Sequence, residues 1–324
     1  MNARGDKVCT VTRRKGLRDK VRAIMARPTG LCILSLLLPV VAFAQAPSDA
    51  ELQKRANAVL TLMGFSLTPD VTTGSLSISD QSTGNPYFRQ TSISGGGTLK
   101  NTPLYAEGTL AYGRYDPTFN AQAAPVPVKW DSLLVTGGLG WDFPIAPRLM
   151  LRPIANVSVG RVESESTAAA AARQVPGSAF LAHGQLNAAG LGGSLMLDYE
   201  RYLPESEIDA ELRYSSIHLQ SFQSSSAVQG HSLAQTFSFW SRYRAPSGLV
   251  AFERPVRYVL EYAYSRFLGD LEGALGFSYV NSFGLGAELD TSRYQSYVSR
   301  TRLMLRYKAG NNVTGWAVGL GLSF

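Results

Sequence analysis

The stretch Thr314-Gly-Trp-Ala-Val-Gly-Leu-Gly-Leu-Ser-Phe324 ends the chain and decides how the fold is interpreted. Large apolar residues occupy every second position: Trp316, Val318, Leu320, Leu322 and Phe324. Alanine, glycine and serine fill the positions between them. Because successive side chains of a β-strand point to opposite faces, one face is bulky and apolar and the other is small. This pattern predicts the closing strand of a transmembrane β-barrel, with its apolar face toward lipid and its small face toward a lumen.

The residues from 73 to 324 repeat alternating runs of about ten residues, the length that crosses a bilayer at the usual tilt of barrel strands. The sequence therefore predicts an all-β, antiparallel up-and-down barrel of about twelve strands with a short N-terminal helix. Fourteen strands is the alternative if one of the longer stretches hides a hairpin, whereas splitting 273–289 would give thirteen, an odd number that single-chain bacterial barrels avoid. Short and long connections alternate, as bacterial barrels require, except that 245–256 is long and 269–272 is short. The strands are predicted near 73–79, 87–97, 103–115, 130–143, 148–161, 189–201, 206–220, 233–244, 257–268, 273–289, 296–308 and 314–324.

Residues 1–44 have the features of a cleaved signal peptide. An apolar run from Leu31 to Ala44 follows Arg27 and ends in a small-x-small pattern, and it is too short to span a bilayer as a helix. The basic region before it is long, and Met25 is an alternative start. The leader holds nine basic and two acidic residues, which leaves 22 of each sign in the mature chain. The basic character thus belongs to the leader and does not indicate binding to nucleic acid.

Both cysteines, Cys9 and Cys32, also belong to the leader. A mature chain without cysteine has no thiolate metal site and no cysteine nucleophile. The sequence shows no metal-ligand spacing, no phosphate-binding loop and no nucleophile elbow, so we expect no metal and no cofactor. Among enzyme classes, a lipid hydrolase with its site at the barrel rim is the best alternative, because several serines lie near His218 in sequence. Serine is abundant throughout the chain, however, and the prediction is a protein that is not an enzyme.

The segment 45–72 precedes the first predicted strand. Its stretch from Asp49 to Met63 has helical spacing, which predicts a helix with one apolar stripe. Two interpretations stay open: a periplasmic helix or tail, and a helix that plugs the pore. The stripe consists of Leu52, Ala56, Val59, Leu60 and Met63.

Charged residues share the lumen-facing positions of three predicted strands. In a twelve-strand barrel, positions five or six strands apart lie nearly opposite each other. One wall is therefore predicted to be basic and the facing wall acidic, an arrangement that biases ion passage in pores. The alternative is that these charges pair with other lumen charges, such as Glu107, Arg152, Arg213 and Glu261, or with the helix. The basic residues are Arg300, Arg302 and Arg306, and the acidic residues are Asp198, Glu200, Asp209 and Glu211.

Several segments in the second half of the chain resemble the solitary outer-membrane autotransporter-like barrels, which have a translocator-type barrel without a passenger. These segments are Leu212–Phe222, Trp240–Gly248, Arg254–Glu261 and Arg300–Phe324. The resemblance implies a fold and the outer membrane of a Gram-negative bacterium as location, but no established activity. It implies membrane lipid and lipopolysaccharide as partners, with the barrel-assembly machinery and periplasmic chaperones during biogenesis. We therefore expect a barrel with a narrow or plugged charged lumen, with an open porin-like diffusion channel as the alternative.

The chain end provides a test of this interpretation. A charge at Phe324 should block assembly, because the closing strand must present an apolar face to the assembly machinery and then to lipid. We expect the Phe324→Asp protein to be degraded in the periplasm, as measured by its loss from the outer-membrane fraction. Normal amounts of heat-modifiable protein in that fraction would show that residue 324 does not belong to an assembly signal.

Overall fold

The computed structural model of the protein describes residues 49–79, 86–116, 118–121, 124–127, 129–165, 185–222, 229–290 and 299–323. The predicted signal peptide 1–44 and Phe324 therefore lie outside the described residues. No described helix has the length and apolar character needed to cross a membrane. The elements are α1 (Asp49–Gly64), β1 (Ser75–Ser79), β2 (Pro86–Thr98), β3 (Leu104–Tyr115), β4 (Thr118–Ala121), β5 (Ala124–Pro127), β6 (Lys129–Trp141), β7 (Phe143–Ala146), β8 (Leu149–Glu165), β9 (Gln185–Tyr202), β10 (Glu207–Phe222), β11 (His231–Ala251), β12 (Arg254–Gly269), β13 (Tyr279–Asp290), β14 (Arg300–Gly310) and β15 (Val313–Ser323).

Antiparallel pairing joins the long strands in the order β1-β2-β3-β6-β8-β9-β10-β11-β12-β13-β14-β15. Strand β7 continues β6 after Asp142 and pairs with β8, whereas β4 and β5 form a separate hairpin. Contacts between β1 and β15 bring the two edges of the sheet together, so the twelve strands form a nearly closed barrel. The prediction of an all-β barrel of about twelve strands with a short N-terminal helix is confirmed.

Two predicted connections were wrong, and local geometry explains both. Strands β11 and β12 extend to a tight turn. Pro246 remains paired with Arg257, and a register shift between Pro246 and Val250 accommodates Gly248 within the strand. Strand β13 begins at Tyr279 rather than near 273, because Gly273 and Gly276 have φ of 72° and 81° and turn the chain. Both corrections restore the alternation of short and long connections at these two places, whereas it fails at the last two connections, where nine residues link β13 to β14 and two link β14 to β15.

The two ends of the barrel differ in their connections. The short links between β2 and β3, β9 and β10, and β11 and β12 lie at the same end as Ser323, which we call the turn end. The opposite end carries the longer links between β3 and β6 and between β12 and β13, and we call it the loop end.

Burial alternates along the strands and defines two walls. On β6, Leu133, Val135 and Leu139 are exposed, whereas Leu134 and Thr136 between them are buried. The exposed side chains form the outer wall and the buried ones the inner wall, because a strand directs alternate residues to opposite faces. On β15, Trp316, Val318 and Leu320 are 70%, 70% and 73% exposed, as their apolar pattern predicts. The outer wall is thus an apolar surface.

Helix α1 lies inside the barrel, toward the loop end. Its buried residues Ala56, Leu60 and Met63 belong to one apolar core with inward-facing residues of the strands, including Leu134 and Ile217. The residues after the helix continue this packing. The ring of Phe65 packs at a tilt of 55° against Phe267 of β12 and against Phe277 in the loop before β13, at ring-centroid distances of 4.9 and 5.8 Å.

The edges of the sheet meet at an incomplete junction. Strand β1 has five residues and pairs with β2 only as far as Thr91. Among the described residues, Ile93–Thr98 of β2 therefore has a strand on one side only, and β15 pairs only with β14. We call the region between Ile93–Thr98 and the turn-end half of β15 the seam.

A buried lysine fastens the N-terminal segment beside the seam. Lys308 of β14 donates hydrogen bonds from Nζ to the carbonyl oxygen of Thr72, at 2.8 Å, and to that of Ser75. Both acceptors lie at the entry to β1, across β15 from the lysine. The lysine therefore joins the last strands to the first.

Replacing Lys308 with methionine should loosen this junction. A hydrogen bond to a charged group contributes about 1.5–3 kcal/mol, and its loss leaves buried carbonyl groups without a donor. We expect faster proteolysis of residues 49–79 in Lys308→Met, measured by limited digestion of the folded barrel. The exposed Lys129→Met is the matched control and should behave as the unmodified protein. Equal digestion of all three proteins would remove Lys308 from this role.

Candidate functional site in the lumen

Helix α1 is held at the loop end by polar contacts as well as by its apolar stripe. The side-chain oxygen of Asn57 accepts a hydrogen bond from the backbone N–H of His231 at 2.8 Å, and the hydroxyls of Thr61 and Ser232 are 3.0 Å apart. Gly230 leaves room for the helix, because a Cβ there would lie 2.9 Å from Ala56. The helix is therefore anchored to the start of β11.

A buried ion pair links β3 and β10 below the helix. The guanidinium of Arg213 donates to both carboxylate oxygens of Glu107, at 2.7 and 2.6 Å, and the two side chains are 4% and 2% exposed. Asn156 donates a hydrogen bond of 2.8 Å to the carboxylate of Glu107. The guanidinium of Arg213 also donates a hydrogen bond of 2.9 Å to the hydroxyl of Ser194. We call these four residues the Glu107 network. Because β6, β8 and β9 lie between β3 and β10 in the sheet, the network connects distant parts of the inner wall.

A glycine makes room for this network. A Cβ on Gly138 of β6 would lie 2.6 Å from the Glu107 side chain and from Asn156 Nδ2. The side chain of Glu107 therefore lies directly against the backbone of Gly138 where it pairs with Arg213. The small residues on the inner wall serve the packing of charged side chains.

A second cluster lies at the turn end of β8. Arg152 pairs with Asp198 at 2.9 Å and with Asp142, and its guanidinium carbon lies 4.0 Å from the ring centroid of Tyr105. Asp142 lies in the turn after β6 and also accepts a hydrogen bond of 2.5 Å from Thr98. Burial would raise the pKa of the Asp142 carboxyl, but the hydrogen bonds from Arg152 and Thr98 outweigh it and hold that pKa below its ordinary value.

A third cluster joins β10 to β14 near the turn end. Glu207 pairs with Arg244 at 3.0 Å and with Arg300 at 2.7 Å, and Glu288 pairs with Arg302 at 2.7 Å. Arg244 also lies 3.5 Å from Glu288, so the two carboxylates share one guanidinium. We call these five residues the Glu207–Glu288 network. It connects strands four apart in the sheet.

The basic residues predicted on β14 face inward and are all paired. Arg306 donates to Glu261 at 2.5 Å, and its guanidinium lies over Gly319 of β15, where a Cβ would overlap it. Arg302 lies over Gly321 in the same way, with Nη1 3.0 Å from the position of a Cβ. The glycines that alternate with the apolar residues of β15 thus accommodate the arginines of β14.

The predicted acidic residues have three different environments. Asp198 and Asp209 are buried and paired, the latter with Arg242 at 2.5 Å and Arg244 at 2.9 Å. Glu200 is exposed near the turn end. Glu211 takes part in none of the hydrogen bonds or ion pairs found among the described residues. Arginines lie next to the acidic residues Asp198 and Asp209, and Glu261 and Glu288 lie next to the arginines of β14. Both sides of the lumen therefore carry positive and negative charges.

Four partners in these clusters were not predicted from the sequence. Glu207 is the first residue of β10 and Glu288 lies two residues before the end of β13, where alternation is hard to follow. Arg242 and Arg244 could have been found, because Trp240, Arg242 and Arg244 alternate with Ser241 and Tyr243 and so share the inward face of β11.

A cavity of about 950 Å³ remains between the clusters. Asp70 and Val71 of the N-terminal segment border it on one side, and Ser94–Lys100 border it at the seam. On the opposite side it reaches Glu211, Trp240 and Arg242.

The histidines that suggested a hydrolase do not form a site with the nearby serines. His218 is exposed on the outer wall and its ring is stacked 6.3 Å from that of His231. Ser215 and Ser221 are buried on the inner wall, and Ser215 is bonded to Ser194 at 2.8 Å. His183 lies outside the described residues. Within the described residues, no group of three or more histidine and acidic side chains could hold a metal ion.

Some solved barrel structures are similar to this one, whereas comparison of sequences finds no match. No family model matches the chain, and no curated protein matches it. The transport unit of the autotransporter AIDA-I from Escherichia coli is similar with a TM-score of 0.48 and 11% identity, covering 84% of this chain and 99% of that one. The β-domain of the Bordetella autotransporter BrkA has a TM-score of 0.45 and 14% identity, with 76% and 94% covered.

The translocator domain of NalP from Neisseria meningitidis is also similar, with a TM-score of 0.37, 14% identity and coverage of 73% and 82%. The similarity to translocator barrels expected from the sequence is therefore present among solved structures. At TM-scores this low, it does not indicate a shared function.

The Glu107 network yields a stability prediction. Glu107→Gln removes the charge that compensates Arg213, and an uncompensated buried charge costs about 3–5 kcal/mol. We expect a lower denaturant midpoint for unfolding of the purified barrel. The double variant Glu107→Gln, Arg213→Met should recover much of the loss, because it removes both charges.

The exposed pair of Arg161 and Glu163 is the control, with side chains 48% and 55% exposed. Glu163→Gln should change the free energy of unfolding by less than about 1 kcal/mol. A double variant no more stable than Glu107→Gln would mean that the stranded charge is not the cause of the loss.

Proposed function

We propose that the protein is an integral outer-membrane β-barrel, without enzymatic activity, whose lumen is closed to bulk flow. The observation that carries the proposal is the division of the sheet into an apolar outer wall and a charged inner wall. A soluble barrel would place these surfaces the other way round, because burying apolar area is the main stabilising term in water. An apolar outer wall on twelve antiparallel strands suits a lipid solvent.

The outer wall also carries neighbouring aromatic rings, which are enriched at membrane interfaces. The rings of Tyr307 and Trp316 pack at a tilt across β14 and β15 with centroids 5.0 Å apart, and those of Tyr262 and Phe283 pack likewise across β12 and β13 with centroids 5.3 Å apart. Bacterial barrels place their short turns in the periplasm, so the turn end faces the periplasm and the loop end the cell exterior. Membrane lipid and lipopolysaccharide then surround the outer wall, and the barrel-assembly machinery and periplasmic chaperones deliver the chain.

Two features support a closed lumen. Helix α1 and Phe65 fill the loop-end half with apolar side chains that are packed against the strands. The Glu107 and Glu207–Glu288 networks connect distant strands in the turn-end half. Ion passage through such a lumen would require both obstacles to move, which distinguishes the protein from an open porin-like channel. This assigns α1 the role of a plug rather than that of a periplasmic tail.

A matched pair of helix substitutions tests the plug. Leu60 has no exposed surface, whereas Ala58 on the same helix is exposed. Leu60→Asp places a charge in the apolar core, which costs several kcal/mol and should expel the helix. We expect larger single-channel conductance in planar bilayers for Leu60→Asp and for deletion of residues 49–64.

Ala58→Asp adds the same charge at an exposed position and should conduct as the unmodified protein. Each protein must first show heat-modifiable migration, which reports a folded barrel. Identical traces for folded Leu60→Asp, the deletion and the unmodified protein would exclude the plug. High conductance of the unmodified protein would favour the diffusion channel instead.

A further inference from the structure

One wall of the cavity in the turn-end half carries polar groups that the ion-pair networks do not use. Glu211 of β10 and Trp240 of β11 lie directly opposite each other in the antiparallel ladder, and both line the cavity. Glu211 takes part in none of the hydrogen bonds or ion pairs among the described residues. The indole Nε1–H of Trp240 is buried and has no hydrogen-bond partner among them either. An acceptor and a donor therefore lie side by side, each without a partner.

Arg242 provides a second donor next to this pair. Its guanidinium carbon lies 4.7 Å from the Trp240 ring centroid, and its Nε and Nη2 donate to Asp209. Arg242 also lines the cavity, and its Nη1 forms none of the hydrogen bonds found among the described residues. Arg242 is diagonal to Glu211 in the ladder, because it lies two residues beyond Trp240. Diagonal neighbours are about 7–8 Å apart, so one small molecule can contact all three side chains.

These three side chains favour a ligand that carries both signs of charge. The carboxylate of Glu211 accepts best from a cationic donor, whereas the N–H groups of Trp240 and Arg242 donate best to an anionic acceptor. An anion alone leaves Glu211 without a donor, and a cation alone leaves the two N–H groups without an acceptor. An α-amino acid joins an ammonium and a carboxylate through one carbon atom, which suits groups that lie side by side.

Apolar residues lie next to these polar groups. Ala263 of β12 is opposite Trp240 in the ladder, and Met196 of β9 is opposite Arg213, the inward-facing residue that follows Glu211 on β10. Both Ala263 and Met196 line the cavity. The site therefore suits an amino acid whose side chain is apolar.

The cavity has the size of a small-molecule site and extends to the turn end. Its volume of about 950 Å³ is in the range of such sites. Its lining includes Leu99 and Lys100, which follow β2 at the turn end and are both exposed. The turn end is the side away from helix α1, so a ligand that enters there does not have to pass the helix.

We propose that this cavity binds a free α-amino acid with an apolar side chain, which enters and leaves by the turn end. The ammonium group donates to Glu211, the carboxylate accepts from Trp240 Nε1 and Arg242 Nη1, and the side chain contacts Ala263 and Met196. The inference goes beyond the proposed function and does not depend on the membrane, because the folded barrel alone forms the site.

The ligand preference is measured by calorimetric titration of the full-length protein, purified from cells in a maltoside detergent. The probes are L-leucine, isocaproate, which is leucine without the ammonium, and isopentylamine, which is leucine without the carboxylate. One hydrogen bond to a charged group corresponds to about tenfold or more in the dissociation constant. Leucine should therefore bind at least that much more tightly than either analogue.

Two substitutions test the two ends of the ligand separately. Glu211→Gln should weaken leucine binding by about tenfold or more and leave isocaproate binding unchanged, because only leucine has the ammonium. Trp240→Phe removes the indole N–H and should weaken leucine and isocaproate by the same factor without affecting isopentylamine. Glu200→Gln and Trp141→Phe are the matched controls. Neither residue lines the cavity, so both variants should bind leucine as the unmodified protein does.

Equal affinity for leucine and isocaproate, or a Glu211→Gln protein that keeps the preference for leucine, would overturn the ammonium contact. Equal affinity for leucine and isopentylamine, or unchanged leucine binding in Trp240→Phe, would overturn the carboxylate contact. Heat-modifiable migration and insertion into vesicles are measured in parallel on every protein. A barrel that folds and inserts but does not bind leucine refutes only this inference, whereas a protein that does not insert refutes the proposed function whether or not it binds leucine.

Discussion

Hydrogen bonding of the backbone along a sheet that returns to its own first strand is the constraint on which the structure depends. In hydrocarbon, each unpaired N–H or C=O group costs several kcal/mol, so a membrane sheet must close. Here eleven strand interfaces are paired, and contacts between β1 and β15 bring the two edges together so that the barrel is nearly closed. Where β1 is too short to cover β2, Lys308 supplies donors to the chain that enters β1. The seam is therefore the least constrained part of the wall.

Closure of the barrel determines which side chains the inner wall can hold. Charged side chains directed into a narrow lumen lose much of their hydration, and they are stable there only with partners of opposite sign. The glycines at 138, 319 and 321 provide the necessary space, because Glu107, Arg306 and Arg302 lie against bare backbone at these positions. The same alternation that makes the outer wall suitable for lipid thus allows the ion pairs to form inside.

The sequence predicts the barrel well because the alternation of apolar and small or polar residues within each strand is a local pattern. Alternation over ten residues identifies strands, and it correctly assigns Trp316, Val318 and Leu320 to the outer wall. Alternation also shows that Arg302 and Arg306 point inward, but not at which height, or which carboxylate meets them across the lumen. Those pairings depend on register and curvature, which are set by distant strands. The end of β11 was missed for a related reason, since Pro246 and Gly248 favour a loop locally and the neighbouring strand overrides that preference.

The position of helix α1 has a consequence for the order of assembly. The hydroxyl of Thr61 meets that of Ser232, 171 residues later in the chain, so the first element made is packed against one of the later strands. The helix can take its final position only after β11 has joined the sheet, because its contacts with His231 and Ser232 need that strand. The first element of the barrel is therefore placed late, either while the edges of the sheet are open or through an open end of the barrel. Forming the contact between Thr61 and Ser232 closes a loop across 171 residues and carries the entropy cost of that closure.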